Sequence, residues 1–151
     1  MKKKMNQETY QNRIKKAREN KQKSYEKHLA RQQDSPVYKL RQYLNEIRIS
    51  NRSGSHVNCF RYFPNNTDKH EDMKYAVFKY LRKIKHDVIV EAIFNNGSRA
   101  DIVDLTNGNI LEVIYSETKE ECKEKVRFYP DIFEVRIINA KQPFKEEDIL
   151  A

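Results

Sequence analysis

Three glycines in 151 residues leave no Gly-rich loop to cradle a phosphate, which excludes nucleotide-binding motifs of that kind. Cysteine is scarcer still. Cys59 and Cys122 share no Cys-x-x-Cys or Cys/His ligand spacing and a disulfide framework would want more cysteines, so two free thiols are expected. No apolar run approaches the roughly 18 residues that a membrane span needs. Met1-Lys-Lys-Lys4 resembles the basic start of a signal peptide, but polar Asn6-Gln-Glu-Thr9 follows where an apolar stretch would be required. The chain therefore reads as unexported and intracellular. No internal repeat is present.

Charge is what the chain has in quantity. Charged residues make up 34% and hydrophobic ones 38%, which fits a globular unit attached to a solvated segment. Residues 1–56 hold 15 Lys/Arg and 5 Asp/Glu, and residues 57–151 hold 15 and 17, so the net +8 resolves into +10 and −2. A segment this basic is either drawn to polyphosphate through counterion release or is a solvated, partner-binding helix. The composition divides the chain near residue 56, into a basic helical extension (1–56) and a core (57–151).

Residues 5–33, rich in Gln, Lys, Arg and Glu, predict a helix that is polar nearly all round and marginal alone. After Asp34-Ser-Pro36, the helical spacing of Val37, Leu40, Tyr43, Leu44 and Ile47 predicts a helix docked on the core. Asn51–Ser55 reads as a linker, and Val57–Phe63 as a short edge strand ended by Pro64. From Asp68 a core helix is expected, with Met73, Val77, Tyr80, Leu81 and Ile84 on one face. The β-branched run Val88–Phe94 reads as a strand, and Asn95–Ser98 as a turn. Arg99–Tyr115 reads as a hairpin, because Asn107-Gly108 between apolar alternations signals a two-residue type I′ turn. Thr118-x-x-Glu121 is a capping box for a helix to about Phe128, which stops before Pro130. Ile132–Asn139 is the last strand, expected to lie parallel to the third through a right-handed crossover.

The type I′ turn sets Thr106 opposite Asn109, Asp104 opposite Leu111, Val103 opposite Glu112 and Asp101 opposite Ile114. Asp101 and Glu112 are then diagonal neighbours on one face, within roughly 7–8 Å, and their carboxylates can converge on one divalent ion. A one-residue slip would separate them. On a purely structural reading, Asp101 is a strand-end residue meeting an arginine and Glu112 lies on an exposed face. Glu91 joins the cluster if the connection after it is three residues long or bulged, and faces away if it is four. Glu71 is a further carboxylate or an exposed first-turn acid favoured by the helix dipole, and His70 is a helix-start residue or a contact to phosphate or water. Asp104 faces away from Asp101 and reads as structural. Ser116 reads as a cap for the following helix, and Tyr43, Tyr62, Phe63, Tyr75 and Tyr80 offer rings that could stack on unpaired bases but at helical or strand spacing read as core, with no base contact assigned.

The order αβββαβ over residues 68–140, with an Asp on the second strand and a Glu on the third, resembles the PD-(D/E)XK nuclease superfamily of restriction endonucleases and Holliday-junction resolvases. The likeness is carried by His70-Glu-Asp-Met-Lys74, Val90-Glu91, Arg99-Ala-Asp101 and Leu111-Glu112-Val-Ile-Tyr-Ser116. It implies an α/β (α+β) restriction-endonuclease-like fold, a central mixed sheet flanked by helices. It further implies Mg²⁺, or Mn²⁺ in its place, held by Asp101, Glu112 and the Val113 carbonyl for hydrolysis of DNA phosphodiester bonds. Two positions depart from the family pattern: Ala100 stands where the motif has Pro, and Ile114 where it has the Lys that would stabilise the attacking hydroxide or the phosphorane charge. Arg99, Lys74 or Lys119 could supply a relocated cation, so the catalytic candidates are Asp101, Glu112, Glu91, Arg99 and Lys74. The implied partner is duplex DNA gripped through its phosphates, with a homodimer as a further expectation. The alternatives are a binding module of the same fold without catalysis, and a protein-interaction module.

Overall fold

The structure, a computed structural model, describes residues 7–150. The expectations placed on Met1–Asn6, the signal-like start and the first residues of the polar helix, lie outside them. The described chain is mixed α+β, with five α-helices and a four-stranded sheet in the order β1-β2-β3-β4. It divides into two units after Lys39. In the first, α1 (Gln7–Gln33) buries no side chain, as a helix polar on every side requires. No helix among the described residues is long and apolar enough to cross a membrane.

The second unit begins upstream of the boundary suggested by composition, because residues 40–56 are bound to the sheet. Leu40, Tyr43 and Leu44 of α2 (Pro36–Asn45) pack on a buried cluster, and Ile47 is fully buried and bridged to Phe94. Asn51 accepts the Ile93 N–H through Oδ1 at 2.8 Å. These contacts cover the outer edge of β1 (Val88–Ile93). Val57–Phe63 is not the expected strand: Val57 makes one isolated bridge to Ile89, and residues 58–66 form a loop.

Helix α3 (Asp68–Lys83) is capped by Thr67 and presses Met73, Val77, Tyr80 and Leu81 onto one face of the sheet, against Val88, Val90, Ile102, Leu111 and Val113. The opposite face carries Ile89, Ala92, Phe94, Ala100, Val103 and Ile110, covered by Tyr129, Phe133 and Val126 of α4 (Lys119–Val126). The Thr118/Glu121 capping box opens α4 as its sequence predicts. Strands β1, β2 (Arg99–Asp104) and β3 (Asn109–Ile114) are antiparallel, and β4 (Glu134–Asn139) pairs parallel with β3. The short α5 (Glu147–Leu150) adds Ile149 to the α3 side.

The hairpin tip departs from a type I′ turn. Asp104 pairs with Asn109, so Leu105–Gly108 form a four-residue connection and the register shifts by two. The cause is local. Asp104 Oδ1 accepts the N–H groups of Thr106 and Asn107, the Gly108 N–H donates to the Asp104 carbonyl, and Leu105 turns into the core. Gly108 holds φ at +72°, and a Cβ there would run into the Tyr43 ring, whereas Gly97 at φ +88° has nothing nearby. Gly97→Ala should therefore cost about 1–2 kcal/mol for the left-handed backbone alone. Gly108→Ala should add a packing cost of about 1–3 kcal/mol that disappears in a Tyr43→Ala background. Chemical denaturation of the four variants checks this, and equal costs at both glycines would rule out the Tyr43 contact.

Candidate active site

The β2–β3 ladder runs from Asp104↔Asn109 to Ile102↔Leu111 and stops there, so the next rung sets Asp101 directly opposite Glu112 and not diagonal to it. Side chains replace the ladder at this rung. Glu112 Oε1 accepts the Asp101 N–H at 3.1 Å, and Asp101 Oδ2 accepts the Val113 N–H at 2.9 Å. Both carboxylates are buried, which contradicts an exposed face for Glu112.

Glu91 stands opposite Asp101 on the other side, since Val90 pairs with Ile102 and Ala92 with Ala100. The connection closes through Phe94 N–H to the Ser98 carbonyl, a three-residue turn, which is the length that brings Glu91 to this row. Glu91 itself has φ +53°, and around it the strands exchange faces: Val88 and Val90 point to α3, but Ala92 and Phe94 point to the other side. A non-glycine residue in this region costs about 1–3 kcal/mol and persists only where its surroundings hold it. Lys74 Nζ lies 2.8 Å from Glu91 Oε1, and Arg99 Nε lies 3.2 Å from Glu91 Oε2.

Each acid meets a cation. Lys74, fully buried, bridges Glu91 to Glu71 Oε1, also at 2.8 Å, and Asn66 donates to the same oxygen. Glu71 is thus buried, and not the exposed first-turn acid of one sequence reading. His70 Nε2 lies 3.3 Å from Asp101 Oδ2. Lys125 of α4, which the sequence reading missed, reaches Glu112 Oε2 at 2.8 Å, and the single Tyr129 O–H is shared between Glu112 Oε1 at 2.6 Å and the Arg99 carbonyl at 3.0 Å. Lys119 instead lines an apolar groove with Cys122, Val126, Val135 and Ile137. Asp104 lies apart, paired with His86 Nδ1 at 2.8 Å. Ser116 is not the cap of α4, a place Thr118 takes.

No family model, curated protein or solved structure matches this chain. Among the described residues no three His, Cys, Asp or Glu side chains gather closely enough to hold an ion by themselves. Asp101, Glu112 and the Val113 carbonyl are oxygen donors of the kind a hard cation takes, although both Glu112 oxygens and Asp101 Oδ2 already meet protein groups. Asp101 Oδ1 is committed to none of the contacts above.

Burial pushes the Glu112 carboxyl up, the Asp101 charge adds to this, and Lys125 and Tyr129 only partly oppose it, leaving it at about 7. For Asp101, burial also acts upward, but the His70 hydrogen bond and charge outweigh it and hold the carboxyl below its usual range. His70 loses to burial and gains more from Asp101, so its imidazole is raised. Between pH 4.5 and about 7 the folded protein therefore retains a proton on Glu112 that the unfolded chain has released, and stability falls as pH rises through that window. Raised His70 contributes a fall of the same sign above pH 6.5. In metal-free buffer Tm should drop by about 5 °C or more between pH 5 and pH 8, and Glu112→Gln should flatten the lower part of that slope. An identical slope in the variant would show that Glu112 does not titrate in this range.

Proposed function

We propose that this protein is a metal-dependent nuclease that hydrolyses DNA phosphodiester bonds on a restriction-endonuclease-like αβββαβ core. The observation that carries the reading is the opposition of Asp101 and Glu112 where the β2–β3 ladder ends, with Lys125 against the Glu112 carboxylate. Bound Mg²⁺ would neutralise phosphate charge and activate water. Asp101, Glu112 and the Val113 carbonyl would hold it. Lys125 supplies the ammonium missing at Ile114, from α4 and not from β3. Lys74 is enclosed between Glu71 and Glu91 and fixes the carboxylates, while Arg99 keeps Glu91 in its left-handed conformation and His70 holds Asp101. Helix α1, with eight Lys/Arg and three Glu over 27 residues and about 40 Å, suits the phosphate backbone.

Incubation of linear and circular DNA with Mg²⁺ or Mn²⁺ tests the chemistry. Asp101→Asn and Glu112→Gln should abolish cleavage, and Lys125→Met should lower it about 10²–10³-fold, as loss of one transition-state charge partner does. Cutting that survives Glu112→Gln refutes the assignment. A second reading, a DNA-binding protein without catalysis, is favoured by the protein cations that already meet Glu71, Glu91, Asp101 and Glu112. It requires binding with no cleavage under any divalent ion. On either reading, changing Lys15, Lys16, Lys21 and Lys23 to Gln should reduce the slope of log affinity against log salt by about one for each phosphate no longer neutralised. An unchanged slope would remove α1 from the DNA interface.

A further inference from the structure

The loop over residues 58–66 is fixed at both ends yet exposes aromatic surface beside the acidic row. At its start Asn58 holds φ +61°, and its Oδ1 accepts the Val88 N–H at 2.9 Å while its Nδ2 donates to Asp87. Phe60 then inserts between Tyr75 and Phe78, with ring centroids 4.9 and 5.6 Å away. At the far end Asn66 donates to Glu71 at 2.8 Å. Between these anchors Tyr62 projects with 60% of its surface exposed, and the Phe63 ring lies 4.3 Å from the Arg99 guanidinium carbon. The Arg99 side chain keeps 45% of its surface exposed, and its Nε is tied to Glu91. Its carbonyl is held by Tyr129, the same hydroxyl that donates to Glu112. The guanidinium is thus tethered at Nε, set over one aromatic ring and still open to solvent.

We propose that Tyr62, Phe63 and Arg99 form a stacking platform for an unpaired base, which delivers a frayed or single strand to Asp101 and Glu112. The inference rests on the nuclease reading and narrows its substrate. Aromatic rings and guanidinium planes stack on any base, but a base within a duplex has both faces covered and cannot reach them. The neighbouring carboxylates are where the phosphodiester of that nucleotide has to arrive. Arg99 carries two tasks in this arrangement, since its Nε holds Glu91 while its plane faces the strand.

Binding in EDTA, where no cleavage occurs, tests the platform with a blunt DNA hairpin and the same hairpin bearing a short single-stranded overhang that contains 2-aminopurine. The full chain should bind the overhang hairpin about 5- to 50-fold more tightly and change its 2-aminopurine emission. Tyr62→Ala combined with Phe63→Leu should bring the overhang affinity down to the blunt value without altering blunt binding or Tm. Arg99→Lys, which keeps the charge beside Glu91 and removes the plane, should also reduce the preference. Equal binding of both hairpins by the native chain, or a preference that survives the double variant, overturns the platform. Cleavage of both hairpins at one rate with Mg²⁺ would then leave the nuclease reading standing, whereas a folded protein that neither binds nor cuts DNA removes both.

Discussion

Two carboxylates take over the main-chain N–H groups of Asp101 and Val113 at the rung where the β2–β3 ladder stops, and much of the second unit is arranged to make that possible. The bonds are charge-assisted and stronger than the ladder bonds they replace. They also force ionisable oxygen into the interior, where an unpaired carboxylate is costly. The two faces of the sheet answer with separate cations, His70 and Lys74 from α3 and Lys125 from α4. The placement of both helices is therefore tied to one rung, and Tyr129 adds a third tie by joining Glu112 to the Arg99 main chain.

The strain at Glu91 follows from the same rung. An extended strand would keep Val90 and Ala92 on one face, but here Val90 packs under α3 while Ala92 and Phe94 pack on the opposite cluster. Strand β2 makes the same exchange across Asp101, with Ile102 on the α3 side and Ala100 on the other. Paired strands can switch faces together without losing register, so Ala92 still meets Ala100. The left-handed residue that allows this could have been a glycine at lower cost. A glutamate there brings its own restraint, because Lys74 and Arg99 grip both carboxylate oxygens.

Element order was legible in the sequence because caps, turns and β-branched runs are local signals. Register was not. Asn107-Gly108 marks a hairpin, but Asp104 captures the next two N–H groups and lengthens the turn, a competition that alternation cannot reveal. The acid pair came together all the same, because a shift of two residues preserves side-chain parity. Lys125 was hidden for another reason. The motif draws attention to cations near it in sequence, whereas the signal lies in α4 and just beyond it, where Cys122, Val126 and Tyr129 mark the inward face and Lys125 sits among them. Nor could pattern show that Phe60 turns inward while Tyr62 stays out, since that depends on where the loop anchors Asn58 and Asn66.

Charge separates the two halves of the chain. Residues 57–151 carry −2 in total, and Lys74, Arg99 and Lys125 are already committed to acids. Net attraction for a polyanion therefore has to come from residues 1–56, above all from the exposed lysines and arginines of α1. Such attraction is screened beyond about 8 Å at physiological salt, while ion pairs buried under α3 are screened far less. If α1 holds a nucleic acid as proposed, ionic strength would act on that capture and leave the geometry around Asp101 and Glu112 nearly untouched. A buried, self-neutralised centre gains from this separation: it can stay assembled across a wide range of salt, while on the proposed reading the charge of α1 would set how strongly a polyanion is held.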